Sequence, residues 1–421
     1  MKFSYRLLSS MLLLAAPFFS FASTSNLEAT SGSNIAVSTD SVVTTEVVKA
    51  EPKLKISPTG RLYVNAAGLS LPTSESQWGV AIPEARIGLK ATYDIYTFRI
   101  DVGFDYGKVS LKDVAITAQF TPKWSLKVGH FYQPFGLQAT NTGTRASIIH
   151  ARPSAIFDPS RSIGIMAMYE HSQWFAQFGV AGEPKAAVLT ANELGKTGYS
   201  ASTRLLYRPF REDSKFLHIG WSGAWVSPEF NSDPELNHNS FTFTATLPTT
   251  ISKITAFSEV VTDAHSMFKF TPELLASYGR FALESQYYYG RVFVKDGLNG
   301  GYLNGSNDFV GQGVYAKLHV LLLGNGYKYK SSEGKIDRLA PKSLNMVFNY
   351  NYLELNSIGD IKHRMNDASV TLSWYINRYL TWRLRGGYTW YWEHMSQQPI
   401  GYNHAKPNGF GGVETSFQLL F

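Results

Sequence analysis

Nine basic residues share one geometric property. Arg86, Lys90, Arg99, Lys127, Arg204, Arg208, Lys317, Arg383 and Arg385 each fall on the polar side of a segment whose alternate residues are apolar. Asp101, Asp105, Asp113 and Glu284 fall on the same side, which makes the row mixed with a cationic excess. Two chemistries are open to it. The charges can pair across neighbouring strands and keep a wet face hydrated, or several guanidinium groups can donate bidentate hydrogen bonds to passing phosphates or carboxylates. A second group, Arg145, His150, Arg152, Asp158 and Arg161, lies in an irregular stretch at 134–161. Arg145 and Arg152 are expected to face solute there, while Arg161 and Asp158 suit a pair that anchors the stretch to its surroundings. His150 adds charge only at acidic pH.

Catalysis has no comparable support. The ten His are scattered, with no His-Glu-x-x-His pair, no Gly-x-Ser-x-Gly elbow and no carboxylate cluster at metal-ligand spacing. Gly300-Gly301-Tyr302-Leu303-Asn304-Gly305 lacks the Lys and Ser/Thr of a phosphate loop and reads as a surface loop. The absence of Cys removes disulfides, thiolate metal sites, cysteine nucleophiles and a lipid-modified cysteine. No metal, cofactor or nucleic acid is expected. The formal charge of +7 is compatible with attracting anions, but a sum over the chain does not say where the charge sits.

The elements that carry the basic row read as strands of the length that crosses a bilayer at a tilt. In 96–107, Tyr96, Phe98, Ile100, Val102, Phe104 and Tyr106 take one face, and Thr97, Arg99, Asp101, Gly103 and Asp105 take the other. Similar alternation marks 85–93, 114–120, 124–132, 199–207, 217–225, 281–289, 310–320, 344–352, 368–376 and 380–392. Tight connections at 94–95, 121–123, 170–172, 209–213, 279–280 and 377–378 alternate with long ones at 70–83, 134–161, 182–197, 227–268, 293–308, 354–365 and 393–409. The stretch 324–342 breaks that alternation as a long connection on the short-turn side. Phe241–Leu247 alternates too, but counting it as a span gives an odd total, so it is assigned to the 227–268 excursion. About sixteen strands result, an even number that returns both ends to one side.

The flanks agree with a membrane barrel. Lys2 and Arg6 precede the apolar run 11–19, and Ser20-Phe21-Ala22 places small residues for a signal cleavage after Ala22. The run is too short for a membrane helix, and Pro17 interrupts it. Residues 1–22 are therefore expected to be a signal peptide, 23–58 a flexible periplasmic lead-in and 59–421 the barrel. Aromatics form 14% of the chain, with 24 Tyr, 27 Phe and 9 Trp, as girdles at two interfaces require. The final segment puts Val413, Thr415, Phe417, Leu419 and Phe421 in one row. It is similar to the terminal strand of outer-membrane barrels, which the assembly machinery reads. A sheet in lipid must pair its first strand with its last, and a barrel this wide leaves a water-filled lumen.

Three blocks then carry a family resemblance: 109–116 (VSLKDVAI), 127–137 (KVGHFYQPFGL) and 152–164 (RPSAIFDPSRSIG). Their order and spacing resemble the phosphate-selective porin O and P family. Tyr278-Gly279-Arg280-Phe281 and Ser373-Trp374-Tyr375-Ile376-Asn377 are weaker matches. The resemblance spans most of 60–421 and is strongest at 84–165. It implies a sixteen-stranded homotrimeric porin in the outer membrane of a Gram-negative bacterium, with the 134–161 loop folded inward as a constriction. The family's arginine ladder and lysine cluster have no match here, so phosphate selectivity does not follow from the fold. The expected function is passive diffusion of small hydrophilic solutes with a preference for anions such as phosphate. A structural or adhesive barrel of little conductance is the alternative, and a barrel enzyme or a soluble sandwich is a weaker one. A plugged transporter needs a wider barrel than this chain provides.

Overall fold

The computed structural model describes residues 52–70, 76–140, 147–184, 197–229, 238–251, 253–294, 309–356, 362–392 and 408–421. In chain order the strands are β1 (Lys55–Ser70), β2 (Gln77–Tyr93), β3 (Tyr96–Gly103), β4 (Ser110–Gln119), β5 (Trp124–Tyr132), β6 (Arg161–Glu170), β7 (Trp174–Gly182), β8 (Tyr199–Glu212), β9 (Lys215–Val226), β10 (Phe241–Thr246), β11 (Thr255–Val261), β12 (Ala264–Tyr278), β13 (Phe281–Val294), β14 (Phe309–Leu323), β15 (Tyr329–Lys330), β16 (Lys335–Ile336), β17 (Ser343–Asn356), β18 (Lys362–Tyr375), β19 (Leu380–Trp392) and β20 (Asn408–Leu420). Two short helices, α1 (Gly136–Thr140) and α2 (Arg152–Phe157), lie between β5 and β6.

Sixteen strands form a closed antiparallel barrel in the order β1 to β9, β12 to β14, β17 to β20, and β20 pairs back onto β1. The hairpins β10–β11 and β15–β16 stand outside that circuit as separate two-stranded sheets. Period-two patterning gives the barrel two unlike faces. In β9, Ile219, Trp221 and Trp225 are exposed while His218 and Ser222 are fully buried. The same inversion holds in β3, where Phe98 is exposed and Asp101 is buried. A wall with its aromatics outside and its charges inside is the inverse of a water-soluble core and matches the lipid-facing band of a membrane barrel.

Strand limits depart from the sequence reading where the local pattern is broken. β1 begins at Lys55, inside the stretch expected to be a lead-in, and β1 and β2 run through much of the expected 70–83 loop. A register shift between Tyr63 and Asn65 interrupts the alternation there. β8 continues through Pro209 to Glu212, and the turn is Asp213-Ser214, with Ser214 in the left-handed region at φ 58. Proline cannot donate to the ladder, and the register shift between Tyr207 and Phe210 accommodates it. Phe241–Leu247 lies in the excursion, as expected: β10 pairs with β11 and not with the wall.

Candidate functional site

Three connecting segments touch the polar, inward rows of strands remote from their own ends. The first, 133–160, leaves β5. Gly136, at φ 68, donates its backbone N–H to Ser222 Oγ on β9 at 2.9 Å. Gln138 then bonds β13 twice, through its backbone N–H to Gln286 Oε1 at 3.0 Å and through its side chain to Glu284. Ser147 reaches Thr371 on β18 at 3.2 Å. α2 lies on a floor of inward glycines. A Cβ added at Gly311 or Gly313 of β14 would stand 2.8 Å from the Phe157 ring or 2.7 Å from Pro153. Bare backbone lets the helix approach the wall that closely. Lys269 of β12 donates to the Phe157 carbonyl at 2.7 Å, which satisfies a helix end.

The second segment, between β9 and β12, crosses to the opposite side of the strand circuit. At its tip Thr250 accepts from Asn65 Nδ2 of β1 at 2.6 Å and donates to the carboxylate of Glu414 on β20. Its carbonyl takes the Tyr106 hydroxyl at 2.7 Å, and Arg385 of β19 donates to the Pro248 carbonyl at 3.2 Å.

The third segment is 324–342, on the short-turn side. Two fully buried arginines of β8 hold its backbone. Arg204 donates to the Glu333 carbonyl at 2.9 Å and the Gly334 carbonyl at 3.0 Å, and Arg208 donates to the Ser331 carbonyl at 2.6 Å. Gly334, at φ 60, packs where a Cβ would run into Leu206. The Tyr329 hydroxyl lies 3.0 Å from His218 Nδ1. Burial alone would raise the Glu333 carboxyl, but Lys335 and Lys330 beside it outweigh burial and hold it below its ordinary range.

The basic row sits on the inward face, mostly paired. Arg86 meets Glu84 at 2.7 Å and Asp101 at 3.7 Å, and Arg99 meets Asp101 at 2.7 Å. Arg204 pairs with Glu273 at 2.6 Å, Lys317 with Glu284 at 3.1 Å and Arg385 with Asp367 at 3.1 Å. Arg383 donates to the Ser147 carbonyl at 3.5 Å. Lys90 ends its row exposed. Lys127 holds its Nζ 4.5 Å over the Phe131 ring and has no ion pair or hydrogen bond among the described residues.

Two expectations for the 134–161 stretch are corrected. Arg152 is only 7% exposed and does not present a free guanidinium. It donates to the Thr246 carbonyl at 3.1 Å and the His150 carbonyl at 2.8 Å, joining α2 to the β10 hairpin, and burial lowers it to about 10. Arg161 does anchor to the wall, but through Asp113 at 2.8 Å, with its guanidinium stacked 4.1 Å from the Tyr132 ring. Asp158 lies with Lys269 and Tyr288 instead. His150 is half-buried, and Arg145 lies outside the described residues.

Lys269 and Glu273 were not among the residues expected on the polar row, and Pro272 interrupts the period-two pattern between them in β12. The alternation of Phe268, Phe270 and Leu274 with Lys269, Thr271 and Glu273 was the available signal.

Between the third segment, Ala139 of α1 and the wall of β1 and β3 to β7 lies a cavity of about 390 Å³. Arg61, Arg99, Lys127, Lys330 and Lys335 line it against two carboxylates, Asp113 and Glu333.

A sequence profile described as phosphate-selective porin O and P matches residues 73–409. The chain belongs to that porin family. No curated protein sequence matches it. Among solved structures, this porin resembles the anion-selective porin from Comamonas acidovorans, at 11% identity and TM-score 0.55 over 88% of this chain and 100% of that one. It also resembles outer-membrane expressed OmpT of Vibrio cholerae, at 10% identity and TM-score 0.53 over 87% and 98%. The outer-membrane channel DcaP of Acinetobacter baumannii aligns at 9% identity and TM-score 0.51 over 89% and 98%. These likenesses establish the shared barrel fold. Family and fold together support an outer-membrane porin channel.

Proposed function

We propose that the protein is a passive channel for small hydrophilic solutes that favours anions, with the 134–161 loop and the 324–342 segment narrowing its lumen. The observation that carries this reading is the cation excess of the cavity between the 324–342 segment and the wall, five basic side chains against two carboxylates. In a water-filled restriction, screening is incomplete, and a net positive lining raises the local concentration of anions while leaving binding weak enough for exit. The similar porin from Comamonas acidovorans is described as anion-selective, which agrees with this polarity. One OmpT structure is described as a trimer form, which supports a homotrimer here. No catalytic step is assigned to the barrel.

Reversal potentials in planar bilayers across a salt gradient test the proposal. Chloride is expected to be favoured over potassium, with a preference that shrinks as salt rises, because the Debye length is about 8 Å at 0.15 M and about 3 Å at 1 M. Potassium preference overturns anion selection. The packing of three segments against buried polar rows of remote strands favours a second reading, a structural or adhesive barrel, and negligible single-channel conductance in the same bilayers is its signature.

A further inference from the structure

The inward wall beside Lys127 is apolar where a water-facing wall is ordinarily polar. Ala115, Phe131 and Met166 form a buried cluster with Met168 packed against it, and all four stand on the inward rows of β4, β5 and β6. Lys127 and Met166 are direct register partners, which puts a charge and a thioether side by side on one face. Both line the cavity together with Tyr132 and Ala139.

We propose that this cavity selects organic carboxylates with an apolar body over inorganic phosphate. The inference rests on the anion-channel reading and names its solute class. Inorganic phosphate carries oxygens on every side and is bound well where several uncommitted N–H donors converge. The donors here are largely committed: Arg61 to Glu84, Arg99 to Asp101, Lys330 and Lys335 to Glu333. Lys127 offers a point charge that no carboxylate shares at hydrogen-bonding distance among the described residues. A carboxylate set against Lys127 lays its ring or alkyl chain on Met166 and Met168, whose flexible thioethers adapt to varied shapes. The cavity volume of about 390 Å³ accepts a molecule of that size.

The test is single-channel recording of the purified full chain in chloride, with benzoate, acetate or inorganic phosphate added at equal concentration. Benzoate is expected to halve the chloride current at a concentration about fivefold below that of acetate or phosphate, the factor that partial burial of one ring surface supplies. Met166→Ser and, independently, Met168→Ser are expected to bring benzoate to the level of acetate, and Lys127→Gln to weaken competition by all three anions. An anion-selective channel in which phosphate competes as well as benzoate overturns this inference alone. A potassium-selective channel overturns the anion reading and the inference with it.

Discussion

Gly60 and Phe421 exchange both backbone hydrogen bonds, at 2.9 and 3.0 Å, and the Phe421 ring covers the face of Gly60. The ring occupies the space that a Cβ on Gly60 would take, an aromatic covering of a strand glycine that shields its backbone at the β1–β20 seam. The two positions should therefore be coupled. Gly60→Ala is expected to destabilise the barrel by about 1 kcal/mol in the wild type, where the ring must swing away, and by clearly less in a Phe421→Ala background. Thermal unfolding in detergent, followed by the gel shift of folded barrels, checks this. Additive effects would show that the ring contact carries no energy.

Arg204 and Glu273 are both fully buried and 2.6 Å apart, and His218 Nε2 stands 2.9 Å from the same carboxylate. Removing one member leaves the other charge without compensation. Glu273→Ala is expected to cost about 3–5 kcal/mol, whereas the double change Arg204→Met with Glu273→Leu costs less, because no orphaned charge remains. Arg204 also holds the carbonyls of Glu333 and Gly334, so Arg204→Met should release the 324–342 segment as well. Limited proteolysis within 324–342 reads that release, and protection equal to wild type would sink the anchoring role.

The barrel was legible in the sequence because its cause is local. Alternation in β3, β5 and β19 follows from one face meeting lipid, and the parity that exposes Phe98 places Arg99 inward. It failed where a bulge or a proline breaks the period, as at Tyr63 in β1 and Pro272 in β12. The loop chemistry was hidden for a different reason. Arg152 is held by the carbonyl of Thr246, a group every residue carries, so nothing in either residue type marks the contact. The pairing of Arg161 with Asp113 likewise joins strands 48 positions apart in sequence.

Asp158 gives the loop a pH signature. Burial raises its carboxyl to about 8 against the opposing charge of Lys269, from an ordinary value of 3.8, and its Oδ1 has no hydrogen-bond partner among the described residues. Between those two values the folded chain keeps a proton that the unfolded chain has lost, so stability falls as pH rises across the window. The contribution is complete below about 3.8 and is lost as pH climbs to about 8. Melting temperatures between pH 4 and 8.5 are expected to decline more steeply for the wild type than for Asp158→Asn, whose amide cannot ionise. Parallel slopes would remove Asp158 as the source.

Arg152 separates a loop anchor from a selectivity residue. Its guanidinium donates to two carbonyls within the packed interface between α2 and the β10 hairpin, and its backbone N–H reaches Asn351 Oδ1 at 3.2 Å. Arg152→Ala strands the acceptors at Thr246 and His150, at a cost of about 1–3 kcal/mol, and loosens the contact of the two segments. The current through Arg152→Ala should therefore become noisier, while the reversal potential in a salt gradient moves little. Lys127→Gln should do the opposite, since Lys127 lines the cavity without an ion pair among the described residues: a shift in reversal potential toward potassium with unchanged noise. Recording both variants in the same bilayers decides the assignment, and a larger reversal-potential shift for Arg152→Ala than for Lys127→Gln would return Arg152 to the pore.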